Sequence, residues 1–152
     1  MIKAFVICAL PFMCLFVTVS ASASPTELVL GGLRVMESKP SGASWDAGFG
    51  VMTRPDLIIE VSIHERVIFT TPKAANTHSS TQVISSPIFS LNEEVTLVIK
   101  VIDKDLRADD LIDVFTLRVT PQAVAEREIF KFAGKSVISL SLQLKPVNVQ
   151  SS

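Results

Sequence analysis

The sequence predicts an all-β protein, an antiparallel sandwich of seven or eight strands with at most one short helical turn. Three observations lead there. Apolar residues recur with a period of two along most of residues 24–152, as in strands with one buried and one wet face. Turn-forming clusters separate these runs at short intervals. A helical pattern is confined to Pro121–Glu128.

Taken in order, the chain opens on Met1-Ile2-Lys3, an apolar run from Ala4 to Val19 broken only by Pro11, and then Ser20-Ala21-Ser22-Ala23-Ser24. The small-x-small pattern at Ala21 and Ala23 is that of a signal peptide cleaved after Ala23. Residues 1–23 are therefore expected to be removed and the protein secreted, to an extracellular or periplasmic space. The other reading is an uncleaved anchor, for which the apolar run is barely long enough. Glu27–Glu37 is the first β-rich run. Leu57, Ile59, Val61 and Ile63 then alternate with Ile58, Glu60 and Ser62. Val67–Thr71, Gln82–Leu91 and Val95–Asp103 follow, and Phe115, Leu117 and Val119 alternate with Thr116, Arg118 and Thr120. Pro121 suits a first helical turn. In the last strand Ile138, Leu140, Leu142 and Leu144 are expected on one face, with Val137, Ser139, Ser141 and Gln143 on the other. The turns fall at Lys39-Pro40-Ser41-Gly42, Thr71-Pro72-Lys73, Asn92-Glu93-Glu94 and Ala133-Gly134-Lys135. Residues 24–145 read as one domain and 146–152 as a flexible tail.

Composition narrows the function. With 14 Lys and Arg against 15 Asp and Glu, the net charge is −1, which gives no general attraction for nucleic acid. Both cysteines, Cys8 and Cys14, lie in the leader, so the remainder has no disulfide and no thiolate metal site. Two histidines, His64 and His78, exclude a multi-histidine site and read as surface residues. No serine nucleophile elbow, phosphate-cradling glycine loop or HExxH helix is present, so an enzyme is not expected. A metal-assisted hydrolase is the least favoured reading.

All seven aspartates lie in or beside two loops: Asp46 and Asp56 in the first, and Asp103, Asp105, Asp109, Asp110 and Asp113 in the second. Carboxylates so crowded repel unless a cation or solvent screens them. Hard oxygen ligands on irregular backbone suit Ca²⁺; the alternative is a solvated acidic tip. An EF-hand does not fit, because Ala108 stands where the loop needs Gly and Val114 where it needs a bidentate Glu.

Val101-Ile102-Asp103-Lys104-Asp105 with Asp109-Asp110-Leu111-Ile112 resembles the third-loop signature of C2 domains. Pro55-Asp56-Leu57-Ile58-Ile59-Glu60-Val61 resembles the strand that follows their first loop. The resemblance spans roughly residues 27–145 and implies an eight-stranded antiparallel β-sandwich that binds Ca²⁺ between loops at one end and often engages phospholipid. It assigns ligand roles to Asp56, to Asp103 and Asp105 with the Lys104 carbonyl between them, and to Asp110, with Asp109 as the competing choice. Asp46 is the remaining first-loop ligand, ten residues before Asp56. Leu57-Ile58 replaces the family's Pro-Tyr, and Asp113 stands where a glycine usually follows.

The function expected is a secreted Ca²⁺-binding module that docks to an anionic phospholipid surface or an extracellular protein. Trp45, Phe49 and Leu106 are the candidate membrane contacts at the loop tips. In the competing reading Trp45 and Phe49 fold back as a small core. Calcium then only stabilises a structural or interaction sandwich, or is absent.

Overall fold

The computed structural model describes residues 24–46, 53–105 and 109–147. The leader expected at 1–23, Phe49, Leu106 and residues 148–152 of the expected tail lie outside the described residues. The elements in order are β1 (Ser24–Val35), β2 (Leu57–Ile63), β3 (Arg66–Thr70), β4 (Ser79–Ser80), β5 (Ile84–Ser85), β6 (Phe89–Leu91), β7 (Val95–Asp103), β8 (Asp110–Val119), α1 (Pro121–Ala125), β9 (Ile129–Phe132) and β10 (Val137–Pro146). Among the described residues no helix is long and apolar enough to cross a membrane.

One sheet has the order β4–β1–β10–β9, with β5 and β6 also paired to β1. β6, β5 and β4 meet Ser24–Thr26, Val29–Leu30 and Leu33–Arg34 in turn, so these three pieces form one interrupted lane along β1. The other sheet has the order β3–β2–β7–β8. Counting the interrupted lane once gives eight antiparallel lanes, four to a layer, the sandwich the alternation predicts. In the lane's gap Ser86 substitutes its hydroxyl for a ladder partner. The Leu28 amide donates to Ser86 Oγ at 3.0 Å, while the Ser86 amide donates to the Leu28 carbonyl.

The core lies between the layers. Leu28, Leu30, Leu142 and Leu144 from one sheet meet Val61, Leu97, Ile99 and Val101 from the other, all essentially without exposure. Burying each such side chain stabilises the fold by about 1.5–3 kcal/mol. Phe115 of β8 and Phe132 of β9 close one side, with ring centroids 5.2 Å apart. Thr120 caps α1, its Oγ1 accepting from the Ala123 amide at 3.2 Å, and Pro121 opens the helix as its fixed φ allows. The helix ends at Ala125 rather than Glu128, and Arg127 takes a left-handed φ of 55° beyond it.

Two details depart from the sequence pattern. Val137 is buried and Ile138 is 45% exposed, the reverse of the expected faces. A register irregularity opposite Arg34 and Val35 inserts an extra residue there, and a bulge moves every side chain before it to the other face. β10 also runs one residue beyond the expected domain end, and the Val147 amide donates to the Pro25 carbonyl.

A second irregularity leaves Ile112 without a partner on β7 and turns Asp113 toward the β9–β10 turn. Asp113 Oδ2 accepts from the amides of Ser136 and Val137, both at 2.8 Å, so one carboxylate links the two sheets. A Cβ on Gly134 would lie 2.6 Å from the same oxygen, so a side chain there would push the Asp113 carboxylate from its place. Asp113→Ala should leave two largely buried amides unpaired and lower unfolding stability by about 2–3 kcal/mol in urea melts, with or without Ca²⁺.

Candidate metal centre

Strand alternation builds the centre from β7. Val95, Leu97, Ile99 and Val101 point into the core, and the next position on that face is Asp103, with 0% exposure. Its Oδ1 accepts from the Asp56 amide at 2.7 Å, and its Oδ2 is buried with no hydrogen-bond partner. Asp46, from the loop after β1, and Asp105, two residues past Asp103, converge on it. One carboxylate oxygen from each of the three lies within 4.8 Å of the others. Two ionised carboxylates about 4 Å apart repel by roughly 4 kcal/mol at an effective dielectric of about 20.

The proton equilibria register that crowding. Desolvation, a hydrogen bond with Asp105, and the charges of Asp103, Asp105 and Asp56 push Asp46 up to about 7. Desolvation also raises Asp103, and the charges of Asp105 and Asp110 add to it, against the Asp56 amide and Lys39. Near neutral pH Asp46 is therefore partly protonated, which softens the repulsion.

The other expected ligands are held differently. Asp56 is at the edge of the cluster, its Oδ2 on Lys73 Nζ at 2.5 Å and its Oδ1 on the Asn76 amide at 2.8 Å. Desolvation opposes ionisation there, but the Lys73 and Asn76 hydrogen bonds outweigh it and hold Asp56 below the usual carboxylate range. Asn76 offers its amide from a left-handed conformation, φ 50°. Asp110 pairs with Lys39 at 2.5 Å, and Asp109 with Lys104 at 2.6 Å. Lys39 and Lys73 are residues that sequence reading missed, and no local signal marks them, since they lie 71 and 17 positions from their partners.

Trp45 lies in the interior. It is 5% exposed, part of the hydrophobic core, with Nε1 donating to the Met36 carbonyl at 2.9 Å and Lys39 Nζ 5.8 Å from its ring centroid. The indole expected at a loop tip is thus packed against the core. The Lys39-Pro40-Ser41-Gly42 turn steers it inward, closed by the Gly42 amide on the Lys39 carbonyl with Gly42 at φ 82°.

All the converging donors are carboxylate oxygens, two from loops and one, buried and unpartnered, from the end of β7, and such a set fits a hard divalent cation. Three carboxylates supply part of the about six to eight oxygens that Ca²⁺ takes; carbonyls and water would supply the rest.

A raised carboxylate binds its proton in the folded state while the unfolded chain has already released it. Its contribution is present below about pH 4, the unfolded value, and is lost as pH climbs through about 7. Chelator-treated protein should accordingly carry a stability component that declines between about pH 4 and pH 7. Thermal melts across that range should show this component reduced in Asp46→Asn. Asp56 has the opposite sign, its contribution being lost only as pH falls below the ordinary carboxylate range.

No protein-family model matches the sequence, and no curated protein matches it either. Solved structures do share its fold. A structure described as that of a C2 domain superposes with TM-score 0.52 at 17% identity, covering 80% of this chain and 99% of that one. The tandem C2 domains of Extended-Synaptotagmin 2 give 0.53 at 16% identity, over 96% of this chain and 48% of that chain. Human GIVD cytosolic phospholipase A2 in complex with methyl gamma-linolenyl fluorophosphonate gives 0.52 at 12%, over 82% of this chain and 18% of the enzyme. This chain thus spans about half of the former and under a fifth of the latter, and at these identities the likeness is one of fold. The superpositions and the two four-lane antiparallel sheets agree: the chain has a C2-like β-sandwich fold.

Proposed function

We propose that the protein is a non-catalytic Ca²⁺-binding module, exported after loss of residues 1–23, in which Asp46, Asp103 and Asp105 hold the ion. The carrying observation is Asp103, a fully buried carboxylate with one oxygen unpartnered beside two further carboxylates. A buried anion without a counterion is costly, and a bound cation removes that cost while displacing the proton on Asp46. Asp56, Asp109 and Asp110 already have ammonium partners, which supports a single ion at the three remaining acids.

The ion's immediate effect in this reading is structural. It joins the loop after β1 to the end of β7, in a domain whose residues 24–152 contain no cysteine to cross-link those loops. Outside a cell Ca²⁺ can be plentiful, so a weak site stays filled. Docking to phospholipid through Trp45 gains no support from its buried position, and Phe49 and Leu106 lie outside the described residues.

The test is a thermal melt of the purified protein in EDTA, then in rising Ca²⁺, with Mg²⁺ as control. Ca²⁺ at a hundredfold excess over Kd should stabilise by about 2.7 kcal/mol. The rise should vanish in Asp103→Asn with Asp105→Asn, where the carboxamide introduced in place of the buried carboxylate keeps an acceptor for the Asp56 amide. Absence of a shift at millimolar Ca²⁺ would sink the reading. A second measurement addresses docking: Trp45 fluorescence should retain the blue emission of a buried indole when anionic vesicles and Ca²⁺ are added.

A further inference from the structure

Residues of β1, β4 and β10 line a cleft of about 530 Å³, within the range of small-molecule sites. Its origin is local. β4 has only two residues before the lane breaks, and β1 is irregular between Gly31 and Val35, with Gly32 at φ 64°. The hollow is held open by backbone bonds, the Thr77 amide to the Pro55 carbonyl and the Val35 amide to the His78 carbonyl.

Arg34 from β1 and Arg54 from the loop before β2 both line this cleft, twenty positions apart in sequence. Neither guanidinium is in an ion pair with a described carboxylate, whereas Lys39, Lys73 and Lys104 nearby all are. Ser79, Ser80 and Thr81 add hydroxyls, and no bond from these three hydroxyls to another described side chain or backbone group is formed. Ile138, turned outward by the bulge in β10, gives the wall one apolar surface. Glu37 on the same lining leaves a small positive balance, suited to one compact anion and unsuited to a polyanion.

We propose that this cleft binds a phosphate monoester, its oxygens shared between the guanidiniums of Arg34 and Arg54 and the hydroxyls of β4. A carboxylate has two oxygens and one negative charge, which a single guanidinium neutralises in a bidentate pair. A monoester has three free oxygens and close to two negative charges, enough for both arginines and a hydroxyl. Its carbon-bearing side then rests on Ile138. The site uses none of the acids of the metal centre and is independent of Ca²⁺.

Titration of ¹⁵N-labelled protein with glycerol 3-phosphate, in EDTA, tests this directly. Amide shifts should localise to Gly32, Arg34, Ser79, Ser80 and Thr81, saturate in the millimolar range, and be absent with acetate. Arg54→Gln and Arg34→Gln, both at exposed side chains, should each weaken binding about tenfold with the melting temperature unchanged. Phosphatidylcholine vesicles with and without phosphatidic acid identify the source. Retention by phosphatidic acid alone, lost in the same variants, indicates a lipid head; response to glycerol 3-phosphate without vesicle retention indicates a soluble ester. The proposal is overturned by no response to either probe, by shifts confined elsewhere, by an equal response to acetate, by a requirement for Ca²⁺, or by affinity unchanged in both variants.

Discussion

Alternation along β7 sends Val95, Leu97, Ile99 and Val101 into the core and, by the same geometric rule, delivers Asp103 to an interior position. An inward face cannot be changed at its last residue without a bulge, so the strand that supplies much of the core also supplies a buried charge. The surroundings are arranged about that charge. The Asp56 amide accounts for one oxygen, and Lys39 tempers the charge from the side. The other oxygen faces the loops, where Asp46 and Asp105 meet it. Hydrophobic patterning thus fixes the electrostatics of the site.

The remaining acids show how a crowded loop end avoids accumulating charge. Lys73, Lys104 and Lys39 each take one of Asp56, Asp109 and Asp110, and these partly exposed pairs contribute little stability singly. Their effect is to divide six carboxylates into a neutralised rim and an uncompensated centre. Lys39 also lies near the Trp45 ring, which ties the rim to the hydrophobic core through one side chain. Across the sandwich Asp113 is spent on backbone amides. The seven aspartates therefore perform three separate tasks.

The layers of the fold were legible because β2, β7 and β10 are long and strictly patterned, and because Pro121 and the Lys39–Gly42 turn follow simple backbone rules. β9 escaped notice: Ile129-Phe130-Lys131-Phe132 is four residues long, too short for periodicity to distinguish from a loop. The faces of Val137 and Ile138 depended on a bulge set by β1, which no reading of β10 alone contains. Asp46, Asp103 and Asp105 stood out as loop carboxylates, yet their separation from Asp56, Asp109 and Asp110 rests on Lys39 and Lys73, supplied by other loops, and on Lys104 within the second loop. Arg34 and Arg54 are twenty positions apart in the sequence, and only the fold brings them to one cleft.

The interrupted lane of β4, β5 and β6 has a consequence for how these molecules meet one another. A continuous outer strand offers a row of free amides and carbonyls on which a second chain can extend the sheet, the usual start of aggregation. Here that border is cut into pieces of two or three residues, with exposed Val83 in one gap and Pro87, which has no amide hydrogen, in the next. An incoming strand would find no stretch long enough to zip along. Irregularity that weakens one lane of the fold thereby blocks strand addition along that border, where Val83 and Ile88 are exposed.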